Sequence, residues 1–192
     1  TVAGEVGMGK NQHFVPQFYL RKFSEYPDKK EINLYNLKNE QFYRTVPIKN
    51  QACKSFFYDT DNSIEMGLGN IEVFASSVFS KIENNNCCIS DNDKGIIFLF
   101  IVSEYIRTKK FIDDTSSTID VLSRLMSDEK ISSQFYNSQN DHSCLQRIST
   151  AASISMLKPI LNSISDLNMC ISINKTTREF ITSDNPVILC NS

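Results

Sequence analysis

The chain has 192 residues, with 20 Lys and Arg against 22 Asp and Glu, for a formal net charge of −2. That length fits one domain, and the near-balanced charge excludes the broad basic face of an extended nucleic-acid binder. Thirteen Phe and seven Tyr, with no Trp, promise an aromatic core, while the longest apolar run, residues 96–102, is far short of the roughly 20 residues that span a bilayer.

Met8-Gly9-Lys10 reads as a natural start, so residues 1–7 are expected to be a non-native extension and residues 8–192 a single domain. Pro16 suits the opening of a helix, where its missing N–H is not needed. That helix carries Phe18, Tyr19, Leu20 and Phe23, with Tyr19 and Phe23 on one face. Residues 32–37 alternate apolar and polar, residues 38–41 form a polar turn, and residues 42–46 read as a returning strand. Residues 52–61 read as a buried loop or short strand. Ser63 is expected to cap a helix whose face carries Ile64, Leu68, Ile71, Ala75, Val78 and Ile82. Gly67 and Gly69 weaken its first turns and suggest a close approach of another backbone.

Ser90, followed by Asp91 and Asp93, is a good helix start. The helix over about 91–112 is apolar on nearly all sides and should lie at the centre of the domain. Helices over about 117–137 and 141–165 follow, the second broken near Pro159, with residues 137–141 as a loop. Residues 168–174 and 178–183 read as a second hairpin, and residues 187–190 as the start of a strand that leads to an expectation of further residues beyond it. Strands are segregated from helices, so the fold expected is α+β: a mainly helical core with two β-hairpins packed at one side.

Six cysteines, Cys53, Cys87, Cys88, Cys144, Cys170 and Cys190, show no C-x-x-C spacing, and only His13 and His142 could join them on a metal. Zinc and a disulfide framework are therefore disfavoured. With no secretory signal read, reduced thiols in the cytoplasm are expected, and no membrane partner.

Several polar residues stand out. His13 lies just before the first helix. There it could tie the N-terminal arm to a backbone carbonyl, or join Gln17 and Arg21 as an anion site at the positive helix end. Glu104 and Arg107 continue an apolar face three residues apart. They read either as an intrahelical pair that finishes the helix near solvent, or as a base or metal ligand beside an anion-holding guanidinium. Asp184, before Asn185-Pro186, sits in a turn at the end of a strand, either as a structural acceptor or as a metal ligand or catalytic acid. Glu65 and Glu72 read as solvated helix charges, His142 as a surface residue, and Cys87-Cys88 as packing. Phosphate-cradling glycine motifs, H-E-x-x-H and G-x-S-x-G are missing, which disfavours P-loop enzymes and the common hydrolases.

The opening His13-Phe14-Val15-Pro16-Gln17-Phe18-Tyr19-Leu20-Arg21-Lys22-Phe23 resembles the His-x-x-Pro-x-x-Tyr-Leu-x-x-Phe pattern of a bacterial family known as domain of unknown function 4238. Ser55-Phe56-Phe57-Tyr58, the central helix with Arg107, and Phe180-Ile181-Thr182-Ser183-Asp184-Asn185-Pro186 extend the likeness over nearly the whole chain from Met8. The resemblance implies a bacterial protein from settings of conflict with phage or mobile elements. It carries no settled activity. His13, Glu104, Arg107 and Asp184 would suit metal-assisted attack on a phosphodiester. His13 or Glu104 would activate water, Asp184 and Glu104 would hold Mg²⁺ or Mn²⁺, and Arg107 would stabilise the anionic transition state. Two other readings stay open. One is a non-catalytic sensor or interaction subunit with a protein partner, in which this polar set is a structural core. The other is an anion- or nucleotide-binding module using Gln17, Arg21 and Arg107. Convergence of His13, Glu104 and Asp184 on an open cleft would favour catalysis; a sealed or scattered set would not.

Overall fold

The computed structural model describes residues 11–59, 61–84, 89–125 and 142–190, without the side chains of 123–125 and 142–145. Expectations for residues 1–10, Cys87-Cys88, residues 126–141 and the His142 side chain lie outside the described residues.

The fold is α+β, as expected. The first strand, β1 (Asn11–His13), pairs antiparallel with β4 (Cys53–Ser55), with Gln12 opposite Lys54. Between them runs the expected hairpin, β2 (Glu31–Asn36) with β3 (Gln41–Pro47). Its register shifts between Ile32 and Leu34, where Thr45 takes a positive φ of 58°. The Asn33 side chain accepts the displaced Thr45 N–H at 3.4 Å and the Tyr26 hydroxyl at 2.9 Å, which satisfies the polar groups the bulge sets free.

Pro16 stands immediately before α1 (Gln17–Leu20), which tightens into a 3₁₀ turn over Arg21–Phe23. The turn stacks Tyr19 on Phe23, ring centroids 5.2 Å apart. Phe18 meets Phe79 and Phe100 at 6.0 and 5.4 Å, which seats the arm on the helices that follow. Phe14 joins two buried clusters, one built on Phe57, Tyr58, Leu68 and Ile112, the other on Val15, Leu20 and Ile48.

Helix α2 (Ser63–Glu83) buries Leu68, Ala75 and Val78, members of the expected face. Its start differs from expectation. Asn62, not Ser63, is the cap residue, in a left-handed conformation with φ 60°. The orphan N–H groups go instead to carboxylates. Asp59 accepts from Ile64 at 2.6 Å and Asp61 from Ser63 at 3.0 Å, because anions are favoured at the positive helix end. Nothing approaches Gly67 or Gly69: a Cβ on either would meet no atom within 4 Å, so the expected close backbone approach is absent.

Helix α3 (Asp91–Ile106) opens on a reciprocal cap. The Ser90 hydroxyl accepts from Asp93 N–H at 3.1 Å, and the Asp93 carboxylate accepts from Ser90 N–H at 3.2 Å. Lys81 reaches Asp93 at 2.7 Å, and these partners, Lys81 first, hold the Asp93 carboxyl down at about 2. The expected helix over 91–112 is broken. It stops at Ile106, and α4 (Lys109–Leu125) begins anew. Thr108 marks the joint: its hydroxyl accepts from Phe111 N–H at 3.3 Å, a side-chain bond that competes with helix continuation.

Helices α5 (His142–Ser155) and α6 (Leu157–Ser163) pack on α4 and α3 respectively. The expected break falls at Met156, three residues before Pro159, because a proline is tolerated in a first helical turn. The expected second hairpin does not form, and residues 168–190 hold no strand. Only its turn is present, with Asn174 accepting from Thr176 N–H at 2.9 Å and donating to the Arg178 carbonyl at 2.6 Å. Ile171, Ile173, Phe180 and Ile181 are exposed, and a two-stranded ladder with neither face covered is marginal. No helix among the described residues is long and apolar enough to cross a membrane.

Candidate functional site

The end of α3 delivers Arg107 into the interior, where it is 1% exposed. A buried guanidinium must find acceptors, and this one finds them on four segments. Its Nε donates to the Tyr58 hydroxyl at 3.0 Å. Its Nη1 donates to Glu72 of α2 at 2.7 Å and to Glu104, one turn earlier on α3, at 3.2 Å. Its Nη2 donates to the backbone carbonyl of His13. The Tyr58 hydroxyl donates to that same carbonyl at 3.0 Å, closing a ring of polar contacts around the end of β1.

Gln12 reinforces the ring from the neighbouring position. It is fully buried. Its amide oxygen accepts from Tyr58 N–H at 2.7 Å, and its amide nitrogen donates to Asp59 Oδ1 at 2.8 Å and Asn62 Oδ1 at 2.9 Å. One glutamine thus ties the arm to the loop that caps α2.

Glu104 is also 1% exposed, and its second oxygen has no hydrogen-bond partner. Burial pushes its carboxyl up to about 8, against the pull of Arg107, and the Glu72 charge adds to the rise. Burial thus favours the neutral form of this carboxyl, while its Oε1 accepts from Arg107. Burial also raises Glu65, against Arg107 and with Glu72 adding. For Arg107 burial opposes the charge, but Tyr58, Glu104 and Glu72 together keep its pKa above the ordinary arginine value.

The His13 ring makes its hydrogen bond to the Lys49 carbonyl, outside this ring of contacts. Its Nε2 lies 3.2 Å from the Lys49 carbonyl, a pure acceptor, so this nitrogen carries the proton. Burial lowers the His13 pKa, with the Lys49 bond opposing. Gln17 and Arg21 lie elsewhere again. The Arg21 guanidinium donates to the Gln17 carboxamide oxygen at 3.2 Å, and both line an open cleft of about 390 Å³ between the arm and the start of the hairpin. Asp184 is exposed in a turn closed by the Ser183 hydroxyl, which accepts from Asn185 N–H at 3.1 Å. Thr182, two residues earlier, touches the Tyr19 hydroxyl at 3.3 Å.

The expected set is therefore divided among three places. Glu104, Arg107 and the His13 backbone are sealed in the interior; Gln17 and Arg21 line the cleft; Asp184 and Asn185 sit in the exposed turn. Among the described residues no three His, Cys, Asp or Glu side chains gather as a group that could hold a metal ion. Glu104 and Arg107 do pair, and both are buried. Glu72 is a correction: it is a partner of Arg107, with its side chain 25% exposed, not a solvated charge. Its position at the edge of the apolar face was the available signal. Gln12 and Tyr58 gave no signal in composition or spacing, because their partners are 45 to 50 residues away.

No curated protein and no solved structure matches the chain. A family model does, over residues 11–192, a span that contains both the His13–Phe23 opening and the Asp184-Asn185-Pro186 turn. The chain belongs to the family described as Protein of unknown function (DUF4238).

Proposed function

We propose that this chain is a non-catalytic sensor or interaction subunit, and that its most distinctive polar residues are a latch holding the N-terminal arm to the helices. The observation that carries this reading is the state of Arg107. It is 1% exposed, and four donor contacts go to protein acceptors. To clamp a phosphodiester it would have to leave Glu72, Glu104 and the His13 carbonyl, and stripping one partner from a buried ion pair costs about 3–5 kcal/mol. The separation of Asp184 from that interior supports the same reading. A response to phage or mobile DNA, the setting the family resemblance implies, suits a subunit that senses and docks.

The test is a phosphodiesterase assay of the full chain with Mg²⁺ and with Mn²⁺, using a chromogenic diester and single-stranded DNA. Turnover at the buffer rate with either metal is expected. Metal-dependent turnover that disappears in Asp184→Ala or Glu104→Gln would overturn the reading and restore a metal-assisted phosphodiesterase.

A further inference from the structure

The cleft beside α1 has a chemistry that the latch does not use. Three cationic residues line it from three separate segments: Arg21 from the turn after α1, Lys30 from the approach to β2, and Lys49 from the turn after β3. One carboxylate, Glu31, lines it with them. This local excess of positive charge occurs in a chain whose net charge is −2.

The three segments are fixed to one another. Ile48 N–H donates to the Lys30 carbonyl at 2.9 Å, which joins two walls. The His13 ring holds the Lys49 carbonyl, and Gln17 holds the Arg21 guanidinium. Among the described residues neither Arg21 nor Lys49 has a carboxylate within ion-pair distance, and Lys30 has only a loose contact to Asp28 at 3.9 Å. Like charges held together without counter-ions repel, so an anion seated among them is favoured. Exposed Pro47 adds an apolar surface to the same cleft, while Ile48 lies buried beneath it.

We propose that this cleft binds a small organic phosphate monoester, of the size and chemistry of a nucleoside monophosphate. Three cations against one carboxylate match a monoester, which carries about −1.5 to −2 at pH 7. A volume of about 390 Å³ lies in the range of small-molecule sites, about 300–1,000 Å³, and exceeds what a bare phosphate fills. Arg21 supplies the planar fork suited to phosphate oxygens, Lys30 and Lys49 supply point charges, and exposed Pro47 meets the apolar part of the ligand. This site is separate from the sealed latch, so it stands or falls independently of whether the chain hydrolyses diesters.

The experiment is calorimetric titration of the full chain with adenosine 5′-monophosphate, inorganic phosphate and adenosine, repeated on the Arg21→Gln/Lys49→Gln double variant. Both substituted side chains are exposed, so the fold is retained, as the melting temperature will report. Saturable binding of the monophosphate is expected, with adenosine and inorganic phosphate each weaker. The double variant should lose roughly tenfold or more in affinity, since a charge-assisted hydrogen bond contributes about 1.5–3 kcal/mol and 1.4 kcal/mol is tenfold. No saturable binding of the monophosphate, equal binding of adenosine, equal binding of inorganic phosphate, or an unchanged affinity in the double variant would each overturn the proposal.

Discussion

Arg107, Glu104 and Gln12 perform one task, which is to spend buried polar groups on the end of an N-terminal arm. Gln12 does so with neutral hydrogen bonds, whereas Arg107 and Glu104 bring titratable chemistry into the interior. The consequence is a pH dependence of known sign. Glu104 has its folded pKa raised, by burial first, to about 8, against about 4.3 for an ordinary glutamate. The folded state therefore binds more protons across that window. Its contribution is fully present below about pH 4.3 and is lost as pH rises through about 8. Urea unfolding at pH 5, 7 and 9 should show wild-type stability falling relative to Glu104→Gln, which keeps the neutral shape and cannot ionise. Parallel pH profiles for the two proteins would refute this assignment. The Glu104–Arg107 spacing was legible in the sequence, because i and i+3 residues share a helix face. Its burial was not, because the partners gathered around Arg107, namely Glu72, Tyr58 and the His13 carbonyl, come from distant parts of the chain.

At the scale of elements, local signals were legible where local chemistry decides the outcome. The Ser90–Asp93 cap, the apolar face of α2 and the first hairpin all follow from neighbours within a few residues. The joint between α3 and α4 did not. Residues 107 and 108 carry nothing that forbids a helix; the break is set by Thr108 capping α4 and by tertiary partners of Arg107 as far away as His13. The second hairpin failed for a different reason: Ile171, Ile173, Phe180 and Ile181 are left exposed, with no layer covering them. Gly67 is a further consequence of weak local design. It lies in a helix, exposed, with open space where a Cβ would stand. Gly67→Ala should stabilise the chain by about 0.5–1 kcal/mol, seen as a rise of about 1–4 °C in melting temperature. A lower melting temperature would mean that the glycine serves a contact not made within this chain.

At the scale of the whole molecule, the two short strand pairs and the helices of the described residues meet at one arm. Residues 11–23 pair with β4, insert Phe14 between two buried clusters and stack Phe18 on α2 and α3. The Arg107–Tyr58–His13 contacts lock that arrangement from the interior side, and the cleft lined by Arg21, Lys30 and Lys49 lies beside α1. The family signature was legible because it is concentrated in this arm. Its role was not, since a histidine whose backbone carbonyl matters more to the latch than its ring looks the same in sequence as a catalytic one. The most direct measurement is hydrogen exchange of the arm in Tyr58→Phe, which removes the hydroxyl bridging Arg107 and the His13 carbonyl and little else. The loss of these two buried hydrogen bonds, together about 2–4 kcal/mol, should make the Phe14 amide, bonded to the Ala52 carbonyl at 2.8 Å, exchange at least roughly tenfold faster, with the amides of α2 less affected. Unchanged protection of the arm in this variant would contradict the latch.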